Sequence, residues 1–325
     1  MRAMAREIGL GGISVDAPLI ESQAQRHWDL PHATWFTLMG IGGGIFLLSR
    51  LLRLESRLGV LIGLPVVDLV SFVVIGVGGL VLIWSLGRPL RFLRAVLKPR
   101  TSWISRGAIA DFVFLVVGGV LVLPGLRIDG ATPFARLPWE SSPANATGTA
   151  IEVVTLLAAA VVIFYAGQVL ADSTAIPYWR LPAVPTQFVL SSLATSIGVV
   201  MLMETLNGQA IGAGQFWLLL GFLGLLFVSI VWHLRTKTAA AGKAESLEQL
   251  LRGKFRRAFL GGVVAGGTIL PMIFAGVGAA APSARDAMGV LALCCTLAGG
   301  FALRLLTLRV GIYPPVHSVI RLPKR

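Results

Sequence analysis

Two short stretches hold the residue types that could bind a redox-active ring and handle its protons. One is His32-Ala33-Thr34-Trp35. The other is Phe164-Tyr165-Ala166-Gly167-Gln168. Each sits at the end of a long apolar run, and the two runs are expected to cross a membrane in opposite senses, so both ends meet one face. Tyr165 then lies about two turns above the end of its helix, with Gln168 about one turn nearer the surface on a similar side. A phenol and an imidazole close to a membrane surface suit a quinone. Each can hydrogen-bond a carbonyl oxygen, and histidine exchanges protons near neutral pH. The same residue types also anchor helices at headgroup level, so on this pattern alone both readings stay open.

Acids inside apolar runs are the next candidates, because charge in lipid is costly and is kept for a purpose. Asp68 is expected about three turns inside the second helix and Asp111 about one turn inside the third. Both are candidates for a proton relay, Asp68 the better one for that or for pairing with a partner, with a buried structural pair to an Arg or Ser as its alternative. Glu152, Asp172 and Glu204 fall within about two turns of a helix end, where water reaches them. Haem is not expected. Bis-histidine ligation needs two His at depth on facing helices, and the four His here, His27, His32, His233 and His317, stand in tails or at helix ends. Cys294 and Cys295 are adjacent on one helix and point about 100° apart, so no metal or iron–sulfur site is expected.

The elements that must carry these residues follow from hydropathy. With 55% hydrophobic and 13% charged residues in 325 and a mean hydropathy of +0.81, the chain reads as a polytopic, all-α membrane protein. Leu58–Leu86 contains one charge, Asp68, and Gly107–Leu126 contains one, Asp111. Runs of about 20 apolar residues span a bilayer as helices. Eight spans are predicted, near residues 34–52, 58–86, 107–126, 150–171, 183–206, 211–233, 258–281 and 287–308, arranged as two four-helix bundles. Residues 1–33 form an N-terminal tail, 34–308 the membrane domain and 309–325 a basic C-terminal tail. Between spans six and seven, Glu245–Arg252 has acids leading and bases trailing, which suits a short surface helix. The first residues are not followed by a short apolar run with a small-residue cleavage site, so no signal peptide is expected.

A net charge of +13 in so apolar a chain does not indicate nucleic acid. Its distribution is more useful. The face shared by both termini and the 2–3, 4–5 and 6–7 loops carries 21 Lys and Arg, against six on the other face, with Arg304 inside the last helix left unassigned. Basic residues are retained on the cytoplasmic side, which places both termini in the cytoplasm of a bacterial or archaeal cell. Trp28 and Pro31 suit a headgroup anchor and a helix start at this face.

At Leu86-Gly87-Arg88-Pro89-Leu90-Arg91-Phe92 the chain resembles the NrfD/PsrC family, the membrane anchors of polysulfide-reductase-type complexes. The resemblance continues through Lys98-Pro99-Arg100-Thr101-Ser102, the Gly107-Ala108 helix start, Tyr165-Ala166-Gly167, Ile176-Pro177-Tyr178-Trp179 and the Gly-rich first helix. It covers most of the first five helices. The last three agree only in hydropathy. It implies an eight-helix anchor that binds a quinone (menaquinone or ubiquinone) and docks a four-cluster iron–sulfur subunit, which serves a molybdopterin-type catalytic subunit in anaerobic respiration. It also places the quinone pocket at His32, Trp35 and Tyr165. Trp35 stands where the family can have a protonatable residue, and Arg106 replaces a common Trp. The shared basic face, with Arg88, Arg91, Arg94 and Trp179, is the expected docking surface. A secondary transporter and a purely structural anchor are the competing classes. Transporters usually show paired repeats and midplane polar sites, whereas the polar cluster here lies near one surface.

Overall fold

The computed structural model describes residues 20–85, 96–139, 145–236 and 241–316. Among these, eight helices are long and apolar enough to cross a membrane, and the protein is an all-α polytopic membrane protein. The spans are α1 Leu30–Leu51, α2 Val66–Ser85, α3 Trp103–Val122, α4 Ala146–Ala171, α5 Ala183–Leu206 and α6 Ala213–Arg235. After the surface helix α7, Ala241–Leu251, come α8, Ala258–Ala280, and α9, Arg285–Arg309. Packing divides them into two bundles: α1 to α4, and α5, α6, α8 and α9. The bundles join where α1 meets α5 and α9 and where α4 meets α5.

Local sequence sets the helix starts, several of them a turn earlier than hydropathy predicts. Pro31 occupies the first turn of α1, where its missing N–H costs nothing. Ser102 caps α3 by accepting from the Ser105 amide, and Asn145 caps α4 by accepting from the Gly148 amide at 2.8 Å.

The largest correction concerns the predicted span 58–86. Its first eight residues do not continue the helix. They form a hairpin of β2, Val60–Leu61, and β3, Leu64–Pro65. Gly59 and Gly63 stand at φ +87° and +79°, which favours glycine, and a Cβ on Gly63 would lie 1.9 Å from the Gly125 carbonyl oxygen. Asp68 therefore sits in the first turn of α2, not three turns inside a helix. It is nevertheless fully buried, because Arg50 at the end of α1 donates to it. Glu152 of α4 stands 3.6 Å from the same guanidinium.

Helix α1 is the hub, and four glycines explain how it touches so many neighbours. A Cβ on Gly42 would meet Ile75 of α2 at 2.6 Å, on Gly43 Ile163 of α4 at 2.9 Å, and on Gly40 and Gly44 the hydroxyls of Ser192 and Ser196 of α5 at 2.0 and 2.3 Å. Small residues let membrane helices approach this closely. Arg304 of α9 closes the same junction. It is buried and donates to Ser191 and Ser192 at 3.1 and 2.6 Å and to the carbonyls of Phe188 and Gly300 at 3.0 and 2.9 Å. Its charge fixes α9 to α5 rather than facing either surface.

The segments before α1 and after α9 meet on one face. β1, Gln23–Ala24, pairs antiparallel with β4, Ile312–Tyr313. Gln25 donates to the Leu308 carbonyl at 2.8 Å, and Arg309 donates to Asp29 at 2.7 Å. That guanidinium holds the Asp29 carboxyl below the usual carboxylate range.

Candidate functional site

Three helix ends converge beneath this face: the start of α1, the start of α3 and the last turns of α4. Tyr165 of α4 is completely buried at their junction. Its hydroxyl accepts from the Trp35 indole N–H at 3.2 Å and donates to Asp111 at 3.0 Å. Gly107, one turn before Asp111 on α3, makes room for the ring: a Cβ there would lie 2.2 Å from two of its carbons. The other carboxylate oxygen of Asp111 is buried and has no hydrogen-bond partner among the described residues.

His32 stands one turn ahead of Trp35 at the mouth of α1, its ring 6.4 Å from the indole and 4.7 Å from the Trp28 ring. It is half-buried, yet its Nδ1 is enclosed without a hydrogen-bond partner among the described residues. Trp28 stacks on Phe36 at 6.1 Å, and Phe36 packs 4.5 Å from Trp35. The outcome is a polar thread, Trp35 to Tyr165 to Asp111, in an aromatic wall with His32 at its outer end.

The structure thus brings His32, Trp35 and Tyr165 together and adds Asp111, which sequence reasoning had treated separately from the tyrosine. Gln168 does not join: it is half-buried and makes no side-chain hydrogen bond among the described residues. Asp68 is elsewhere too, paired with Arg50 at the opposite end of α1.

Trp179 is not on the surface. It is 2% exposed, and its indole donates to the Thr307 carbonyl at 2.7 Å, so it supports the 4–5 turn from beneath. Neighbouring Tyr178 is stacked on His233 at 4.7 Å, and burial raises its phenol above the ordinary value. Arg106 donates to the Pro99 and Arg100 carbonyls at 2.7 and 2.9 Å and covers Trp103, pinning the loop ahead of α3. Arg88, Arg91, Arg94 and the turn that contains them lie outside the described residues. Among the described residues no group of three His, Cys, Asp or Glu could hold a metal ion.

Among curated proteins no significant match was found. The family comparison is decisive: residues 18–314 match the profile described as polysulphide reductase, NrfD, and with nearly its whole length covered the chain belongs to the NrfD family.

Proposed function

We propose that this protein is the quinone-binding membrane subunit of a multi-subunit oxidoreductase. It would pass electrons between the quinone pool and a docked iron–sulfur subunit serving a molybdopterin-type catalytic subunit. The observation that carries the reading is the buried Trp35–Tyr165–Asp111 thread with an unpartnered imidazole nitrogen beside it. A bound quinone supplies a two-electron, two-proton couple. The residues here fit such a ring: an aromatic wall for its faces and polar groups for its oxygens.

Hydrogen-bond accounting defines what each residue does. Tyr165 has one proton and gives it to Asp111, while one lone pair accepts from Trp35. Its remaining lone pair can accept a hydroxyl proton from a reduced ring as its own proton passes to Asp111. Once Asp111 carries that proton it becomes the donor, and the Tyr165 hydroxyl is released to donate to a carbonyl. Trp35 cannot take a proton, so it orients the phenol and does no more. His32, at the outer end with its Nδ1 unpartnered among the described residues, would be the group available to hold an oxygen of the bound ring. Burial of Tyr165 keeps bulk water off the shared proton.

Replacing Tyr165 by Phe keeps the ring and removes the hydroxyl. Quinone-linked turnover should fall by about 100-fold or more, because the group that hands the proton to Asp111 is gone, while turnover with an artificial acceptor fed by the partner subunits is preserved. Equal loss of both activities would make the tyrosine structural and overturn the assignment.

The docking surface in this reading is the face where β1 and β4 pair, and it lies in the cytoplasm; Arg88, Arg91 and Arg94, expected to contribute to docking, lie outside the described residues. The 21-to-six charge asymmetry supports that orientation. A reporter fused after Arg325 should be active if it works only in the cytoplasm and silent if it works only outside. The reverse pattern would place the partner subunits outside the cell membrane.

A further inference from the structure

We infer that the groove between α6 and α8 is a binding site for one anionic phospholipid, its headgroup held by the cations Arg252, Lys254, Arg256 and Arg257. These four lie within six residues immediately before the span that begins at Ala258. All four are exposed, and none forms an ion pair with a described residue. Phe255, among them, is half-buried against the core and beneath the Lys254 ammonium. Basic clusters at this position relative to a membrane helix are suited to anionic lipid headgroups.

A second observation lies farther along the same helix. The first half of α8, Ala258–Ile269, is wound as a π-helix, with Thr268 donating to the Val263 carbonyl five residues back. This half packs chiefly on α9, whereas Leu270–Ala280 packs on both α6 and α9. Gly267 and Gly299 make the close approach to α9 possible, for a Cβ on either would lie within 2.4 Å of the other's Cα. Where the π-wound half ends, at Ile269, an apolar groove lies between α8 and α6. It has a volume of about 350 Å³ and is lined by Leu220, Phe227, Ile269, Met272 and Ile273.

The two features are spaced as a lipid would need. Arg257 and Ile269 are twelve residues apart, at most about 18 Å of helix, which is roughly half of a hydrocarbon core about 30 Å thick. The cations therefore stand at phosphate level and the groove at acyl-chain depth. On the α6 side Trp232, 52% exposed, lies five residues nearer the surface than Phe227, at the level where tryptophan meets headgroups. A soluble acidic protein would meet the cations but could not fill a groove so deep.

Native mass spectrometry of the detergent-solubilised protein, with any subunits it retains, tests this. Phosphatidylglycerol should be retained roughly tenfold more than phosphatidylcholine of the same chains. The combined change Arg252→Gln, Lys254→Gln, Arg256→Gln and Arg257→Gln should abolish that preference. Ile273→Trp, which fills the groove and alters no charge, should lower phosphatidylglycerol retention severalfold, and soluble glycerol phosphate should not displace the lipid. Equal retention of both lipids by the unmodified protein would overturn the inference, and that comparison stands even if the fourfold variant fails to fold. So would displacement by glycerol phosphate, or loss of an acidic subunit from the fourfold variant with lipid retention unchanged.

Discussion

Asp111→Asn should slow quinone-linked turnover by about 100- to 10,000-fold, the range expected when a positioned general acid–base group is removed. Asparagine has almost the same shape, and its carbonyl can still accept from the Tyr165 hydroxyl, so the thread Trp35–Tyr165–residue 111 keeps its geometry. What it loses is the ability to take the tyrosine's proton and return it. Tyr165 would then be fixed as a donor to residue 111, unable to pass a proton inward. The measurement is turnover with a soluble quinol in the intact complex, beside turnover with an artificial acceptor that bypasses the membrane subunit. The second rate should stay within about twofold of the unmodified protein, as for a surface substitution with little effect. A quinol rate that also stays within about threefold, too small for loss of a general base, would show that Asp111 only holds the tyrosine in place.

Arg50→Ala should destabilise the membrane domain by about 3–5 kcal/mol, since it leaves Asp68 buried without its counter-charge. The guanidinium joins α1 to α2 through Asp68 and approaches Glu152 on α4. Its removal strands carboxylates on two helices. The double change Arg50→Met with Asp68→Leu removes both members and should recover most of that loss, because apolar replacements of a buried pair are often neutral or stabilising. Thermal unfolding in detergent, followed by tryptophan fluorescence, reads both variants. A double variant as unstable as the single one would mean that Asp68 and Arg50 are held by more than each other. A double variant that is stable but has lost quinone-linked turnover would give the pair a working role.

The legible part of the fold was the part governed by hydropathy alone. Eight apolar runs became eight spans, and the even number brings both flanking segments to one face. The hairpin at 60–65 escaped because Val60, Leu61, Ile62 and Leu64 are as apolar as the helix they precede. Only Gly59, Gly63 and Pro65 marked the break, and glycines elsewhere in the chain sit inside helices. At the site, His32 and Trp35 share one helical face by spacing, so their nearness could be read from the sequence. The bond from Tyr165 to Asp111 could not. It depends on how α3 and α4 are rotated about their axes, which apolar residues on every side leave undefined. Gln168 illustrates the same point: being one turn from Tyr165 does not fix what lies opposite it. Trp179 shows a different limit, since an aromatic residue in a turn can be buried by contacts that arrive from a distant helix, here the Thr307 carbonyl of α9.

The pairing of β1 with β4 bears on the order in which the protein can be completed. Gln23 and Ala24 leave the ribosome before α1, and their partners Ile312 and Tyr313 follow only after α9. Domains generally take shape from the N-terminal side during synthesis, so the first bundle can insert and pack while its flanking segment still lacks a partner. The same holds for Gln25, which waits for the Leu308 carbonyl, and for Asp29, which waits for Arg309. The surface around the mouth of α1 is therefore finished only once α9 has been made, and it exists only in a chain whose second bundle is in place. A subunit that binds there would ignore truncated or half-inserted copies without needing any separate means of inspection.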